Sequence, residues 1–118
     1  MLYTVRGLTD DARGVFIRVR VVSKGEVRTV TTKDGREHRV VDVYVGDRTG
    51  GITLTLWDEQ TEQVAEGDLI DVENGYINRF RGRLRLNVGK YGRFERVEDE
   101  DFPSREELLK RQRWKGNR

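Results

Sequence analysis

Cysteine is absent from this chain and histidine occurs once. The first absence removes disulfides, thiolate metal sites and cysteine nucleophiles together, and it fits a reducing compartment; the cytoplasm is the expected location. The second leaves His38 as the lone imidazole. It sits between Glu37 and Arg39, just past a turn, and reads as a surface residue rather than a catalytic one. Acidic residues are numerous but scattered. Their one run, Glu98-Asp99-Glu100-Asp101, reads as a solvated segment. Glycine-rich turns occur, but none has the phosphate-cradling spacing followed by a helix. No run of about 18 apolar residues is present, which excludes a membrane-spanning helix, and the first residues lack the apolar core of a signal peptide. Together these absences argue against an enzyme, a metal site and a bound cofactor.

What remains is a chain of 118 residues, one domain's worth. Charged residues (37%) outnumber hydrophobic ones (35%), yet the net charge is only +2. The distribution of charge, not its sum, therefore carries the information. Apolar residues come in short alternating runs. Val15, Ile17, Val19 and Val21 share one parity, as do Val41, Val43 and Val45, and then Ile52, Leu54 and Leu56. Strict alternation is the signature of half-buried strands. A further β-rich stretch, Val27–Thr32, precedes Lys33-Asp34-Gly35-Arg36, and Asp-Gly between such runs predicts a hairpin. Residues Asp58–Glu66 are compatible with a short helix. Leu69–Glu73 reads as a fourth main strand, Arg79–Arg83 as a ribbon tip, and Leu84, Leu86 and Val88 as a fifth strand that Phe94 and Val97 extend.

Five strands with a long first one, a hairpin, and a helical connection between the third and fourth match the plan of a five-stranded OB-fold Greek-key barrel, an all-β class; an SH3-like barrel is the alternative that strand counting leaves open. We assign residues 1–98 to that barrel and 99–118 to a charged C-terminal tail. In the tail, Ser104-Arg105-Glu106-Glu107 matches a capping box ahead of a short helix that includes Leu108, Leu109 and Trp114. Packing on the barrel, assistance in binding and self-association are three roles open to it; a monomer is the expected state.

The segment Tyr76–Tyr91 contains Arg79, Arg81, Arg83, Arg85 and Lys90 and no acidic residue, in a chain with 21 acids. The four arginines share one parity. On a single strand they would form a row about 7 Å apart, near the spacing of successive phosphates. Aromatics interleave with them. Tyr76 and Phe80 flank Arg79, and Trp57 ends the third strand on its outward parity. Tyr76 shares parity with the inward Ile70 and Val72, and a bulge at Gly75 would turn it outward. Cations interleaved with aromatics are what a single-stranded nucleic acid needs: π-faces for bases and positive charge for the backbone. An ordinary solvated ribbon is the competing reading.

The stretch from Gly46 to Trp57, GDRTGGITLTLW, together with Val72-Glu73-Asn74-Gly75-Tyr76 and Phe80 to Gly89, FRGRLRLNVG, resembles the archaeal single-OB single-stranded-DNA-binding proteins. That family includes the small human sensor-of-single-strand-DNA proteins. The resemblance covers roughly Leu8 to Val97. It implies three base-stacking aromatics at Trp57, Tyr76 and Phe80, with Tyr76 standing where crenarchaeal members carry tryptophan. It also implies strand contacts from the loop between the first two strands, for which Arg28, Lys33 and Arg36 are the nearest residues. The implied function is sequence-tolerant binding and protection of single-stranded DNA in replication, recombination or repair, with repair or replication proteins as partners. RNA binding, or service as a protein-interaction OB subunit, stays open at this point. The glycine-rich spacer and acidic tip of crenarchaeal members have no counterpart here.

Overall fold

The computed structural model describes the backbone of residues 2–116 and the side chains of residues 2–111. Strands β1 (Leu2–Tyr3), β2 (Arg13–Lys24), β3 (Arg28–Thr31), β4 (Glu37–Asp47), β5 (Gly50–Trp57), β6 (Leu69–Phe80), β7 (Arg83–Asn87) and β8 (Arg93–Val97) precede one helix, α1 (Arg105–Gly116). The sheet runs β2-β4-β5-β7-β6, and pairing of β6 back to β2 closes it into a five-stranded barrel. β5 and β7 are parallel, whereas the other barrel pairs are antiparallel. Closure leaves no open edge within those five strands.

The expected parity holds. Val15, Ile17, Val19 and Val21 of β2, Val41, Val43 and Val45 of β4, and Leu54 and Leu56 of β5 are fully buried and form one cluster. β-branched side chains dominate it because they pack well on a pleated surface.

Three expectations are revised. Arg93–Val97 does not extend the fifth strand; it is a separate strand, antiparallel to β6 from Leu69↔Val97 to Glu73↔Arg93. Tight turning at Gly92 is the reason, since a Cβ there would lie 1.8 Å from the Val88 carbonyl oxygen. β6 is far longer than Leu69–Glu73 and continues to Phe80. Between β5 and β6, where a short helix is expected over Asp58–Glu66, stands only a 3₁₀ turn, Asp58–Glu62.

Beyond Val97 the chain returns to the barrel. Ser104 and Glu107 form the reciprocal cap: the Glu107 amide donates to Ser104 Oγ and the Ser104 amide to Glu107 Oε1, both at 3.2 Å. The Glu107 carboxyl is held below the usual range, chiefly by that backbone bond. Leu108 is 5% exposed. Arg20 Nε donates to the Pro103 carbonyl at 3.0 Å and Arg105 Nε to the Val22 carbonyl at 2.6 Å. The first part of the tail is thus bound to β2; the side chain of Trp114 and residues 117–118 lie outside the described residues.

Candidate nucleic-acid interface

Strand alternation that buries one parity of β4, β5, β6 and β7 leaves the other parity on a shared outer face. Register places Asp42, Thr55, Asn87 and Tyr76 in one row across it, and Tyr44, Thr53, Arg85 and Asn78 in the next. Arg83 and Phe80 pair at the hairpin end. Trp57 stands at the opposite end of β5, across from Val40.

Tyr76 reaches this face through an irregularity. The β2–β6 register shifts between Val15↔Gly75 and Ile17↔Val72, and Asn74 takes φ +55°. Before the shift Ile70 and Val72 point inward; after it Gly75 and Ile77 do. Tyr76 is consequently 40% exposed, with Trp57 at 41% and Phe80 at 49%. The left-handed residue is Asn74 and not the glycine. Gly75 is required for space: a Cβ there would lie 3.0 Å from the Asn87 carbonyl oxygen.

The row of four arginines does not form. Arg81 and Gly82 make a two-residue hairpin turn, both at positive φ (52° and 81°). Such a turn reverses parity, so the partners of Phe80 and Asn78 are Arg83 and Arg85. Arg83 and Arg85 lie on the aromatic face, while Arg79 points to the other, where it meets Asp10 at 3.3 Å and the Gly82 carbonyl at 3.0 Å. Arg81 sits at the tip with its guanidinium 5.3 Å from the Phe80 ring centre, and Arg85 lies 4.6 Å from the same centre. A non-glycine residue held left-handed at such a tip carries strain of the kind found at ligand-binding sites.

The residues assigned to the β3–β4 hairpin divide as well. Arg28 turns toward the face and stands 3.6 Å from Asp42. Lys33 and Arg36 lie at the hairpin tip, Arg36 3.7 Å from Asp34. Among the described residues, no hydrogen bond or ion pair joins either of them to the aromatic face.

Several features went unread in the sequence. Between the aromatic ends lies a polar floor: Arg85 Nη1 donates to Thr55 Oγ1 at 3.2 Å and to Asp42 Oδ1 at 3.3 Å, and Asn87 Nδ2 donates to Asn78 Oδ1 at 3.0 Å. Tyr44 lies flat across Gly51, where a Cβ would come 2.1 Å from its hydroxyl oxygen. Its parity with Asp42 was the available signal. His38 is half-buried rather than free on the surface. Its Nδ1 is 2.9 Å from Asp58 Oδ2, and its ring meets Trp57 edge-on at 5.7 Å. Asp58, at φ +54°, also accepts from the Arg39 amide at 3.1 Å. These bonds hold its carboxyl below the usual range, the His38 bond being the largest cause. The pair fixes the base of Trp57.

Two open grooves follow. One of about 680 Å³ is bordered by Tyr44, Phe80, Arg81, Arg83 and Arg85, with no carboxylate in its lining. The other, about 510 Å³, is bordered by Trp57, Tyr76, Asn87 and Lys90, with Asp58 and Glu59 on its rim. The face is therefore polarised: cationic at the Phe80 end and aromatic with mixed charge at the Trp57 end. Among the described residues there is no cluster of metal-ligating side chains, and no helix long and apolar enough to cross a membrane.

A family model described as single-stranded DNA binding protein Ssb-like, OB fold, matches residues 8–96. The single-stranded DNA binding protein Ssb of Saccharolobus solfataricus is 30% identical over 104 residues, covering 88% of this chain and 70% of its own. Replication factor A of Methanothermobacter thermautotrophicus is 31% identical over 88 residues, 71% of this chain but only 11% of that longer protein. Among solved structures, the second OB-fold domain of replication protein A from Methanococcus maripaludis superposes with a TM-score of 0.70 at 26% identity, covering 85% of this chain and 98% of that one.

Proposed function

From the premise that this chain belongs to the Ssb-like OB-fold family of single-stranded DNA-binding proteins, we propose that it holds single-stranded DNA without catalysis by stacking bases on Trp57, Tyr76 and Phe80. Arg81, Arg83 and Arg85 attract the backbone at the Phe80 end. Stacking is sequence-tolerant because every base has a π-face, so the protein covers exposed strands regardless of sequence, as replication, recombination or repair requires. The observation that carries this reading is the convergence on one face of three exposed aromatics, Trp57 from the end of β5 and Tyr76 and Phe80 from β6, beside a groove with three arginines and no carboxylate. Asp42 belongs to the design. It holds Arg85 against the sheet and so fixes that guanidinium beside the Phe80 ring. His38 and Asp58 do the same for Trp57.

The test is fluorescence in a Trp114→Phe background, where Trp57 is the sole tryptophan. Oligo(dT) should quench its emission, and Trp57→Ala should weaken binding by about 1–3 kcal/mol, roughly 5- to 150-fold. Unchanged emission at saturating oligo(dT) would refute stacking at Trp57.

A further inference from the structure

Among the large apolar side chains described, Tyr91 is the most exposed, at 80%, and it lies off the face built from β4–β7. Its exposure is not that of a loose loop. Gly89 takes φ +75°, and a Cβ there would lie 2.8 Å from Cε1 of Tyr76. At Gly92 the Val88 carbonyl leaves room only for hydrogen. The Gly92 amide donates to the Gly89 carbonyl and Asn74 Nδ2 donates to the Tyr91 carbonyl, both at 3.4 Å. Glycines at both ends thus fold Gly89-Lys90-Tyr91-Gly92 tightly against Tyr76, and the two side chains between them project from a fixed base. Lys90 Nζ lies 5.6 Å from the centre of the Tyr91 ring.

Beside this turn is a cleft of about 520 Å³, bordered by Tyr76, Tyr91, Arg13, Lys90, Asn74 and Asn78, with no carboxylate in its lining. Tyr76 and Lys90 border both this cleft and the Trp57 groove. The two concavities therefore meet at the Tyr76 ring. A strand stacked on Tyr76 has an open, cationic, aromatic-lined continuation on the side away from Trp57.

We propose that Tyr91 and Lys90 form a further nucleotide-binding position, a stacking ring and a phosphate-facing ammonium, that extends the bound single strand past Tyr76. This rests on the strand-binding reading of the main face. The charge of the cleft favours a polyanion, and its continuity with the Trp57 groove makes the occupant the same strand.

Affinity is measured for oligo(dT) of about 3 to 12 nucleotides, spanning the low end of OB-fold site sizes, with the unaltered chain, Tyr91→Ala and Tyr91→Phe. The unaltered chain and Tyr91→Phe should gain affinity with length until the strand reaches Tyr91. Tyr91→Ala should match them on the shortest oligomers, reach its plateau at a shorter length, and bind long ones about five- to tenfold more weakly, as expected from the low end of base–aromatic stacking. Lys90→Gln should flatten the salt dependence by about 0.7 on long oligomers only. Two results would overturn the proposal: Tyr91→Ala following the unaltered chain at every length, or weakening by one common factor at all lengths. Absence of any Trp57 response in the unaltered chain would instead defeat the parent reading along with it.

Discussion

The hairpin that separates Arg79 from its neighbours allows the electrostatics of the face to be tested one residue at a time. Arg81 and Arg83 are exposed, and among the described residues neither forms an ion pair. Each phosphate contact on a single strand contributes about 0.7 to the slope of log affinity against log salt. Replacing both by Ala should flatten that slope by about 1.4, so over a tenfold rise in salt the variant loses about 25-fold less affinity than the unaltered chain, a difference of ~1.9 kcal/mol. Arg79→Ala is the control. Its guanidinium lies on the other face, beside Asp10, and an exposed pair of that kind adds little to stability. Its slope should match that of the unaltered chain. Arg85→Ala should behave differently again. Asp42 already neutralises Arg85, so the slope changes by less than 0.7, while affinity falls at every salt concentration because the Asp42 carboxylate then faces the strand with only the more distant Arg28 beside it. The assay is titration of oligo(dT) by fluorescence across a salt series, with circular dichroism to show that each variant is folded. A slope flattened by Arg79→Ala as much as by Arg81→Ala or Arg83→Ala would refute the assignment of the strand to this face.

Leu108→Ala should cost about 2–3 kcal/mol of stability by removing a buried side chain between α1 and the barrel, yet leave oligo(dT) affinity unchanged where the protein remains folded; affinity falling in step with stability would make the helix part of the site. Arg18 grips Asp71 through Nε at 2.6 Å and Nη2 at 2.9 Å, and Asp71 is 6% exposed. Arg18→Ala strands that carboxylate and should destabilise by roughly 3 kcal/mol, read as a lower Tm, and pairing Arg18→Met with Asp71→Leu should recover most of the loss. The depressed Asp58 carboxyl stabilises the folded state above its unfolded pKa and loses that contribution as pH falls through the lower folded value. The turn at Trp57 should hold at neutral pH and loosen below about pH 4. Trp57 emission in the Trp114→Phe background should report the step, and Asp58→Asn should abolish it.

The barrel was readable because its information is local. Alternation in Val15–Val21, Val41–Val45 and Ile52–Leu56 names the inward parity without knowledge of the partner strand. Trp57 was readable for the same reason. Tyr76 needed one more step, the inference that a glycine in a strand breaks parity, and the register shift at Asn74-Gly75 supplies it. The arginines failed because parity was carried across a turn. Arg-Gly is a weak hairpin signal beside Asn-Gly, and nothing local marks Arg81 as left-handed. The polar floor of Asp42, Thr55, Arg85 and Asn87 could not be read at all. Its members come from three strands and meet only through register. His38 likewise finds Asp58 across the β4–β5 pair, twenty residues away in sequence.

The shift at Asn74-Gly75 also bears on how such a site is gained and lost. Downstream of it, even-numbered residues of β6 lie on the exposed outer face; upstream, they face the core. A single-codon deletion at Asn74 would therefore act like a frame change in three dimensions. Tyr76, Asn78 and Phe80 would be driven into the barrel and Ile77 pushed out, with every one of those residues still present in the gene. A relative could keep each aromatic in its alignment column and have no platform, or lose one and regain it by moving the shift. Judging whether a distant homologue stacks bases therefore requires counting the residues between Val72 and the first aromatic before asking which aromatic it is.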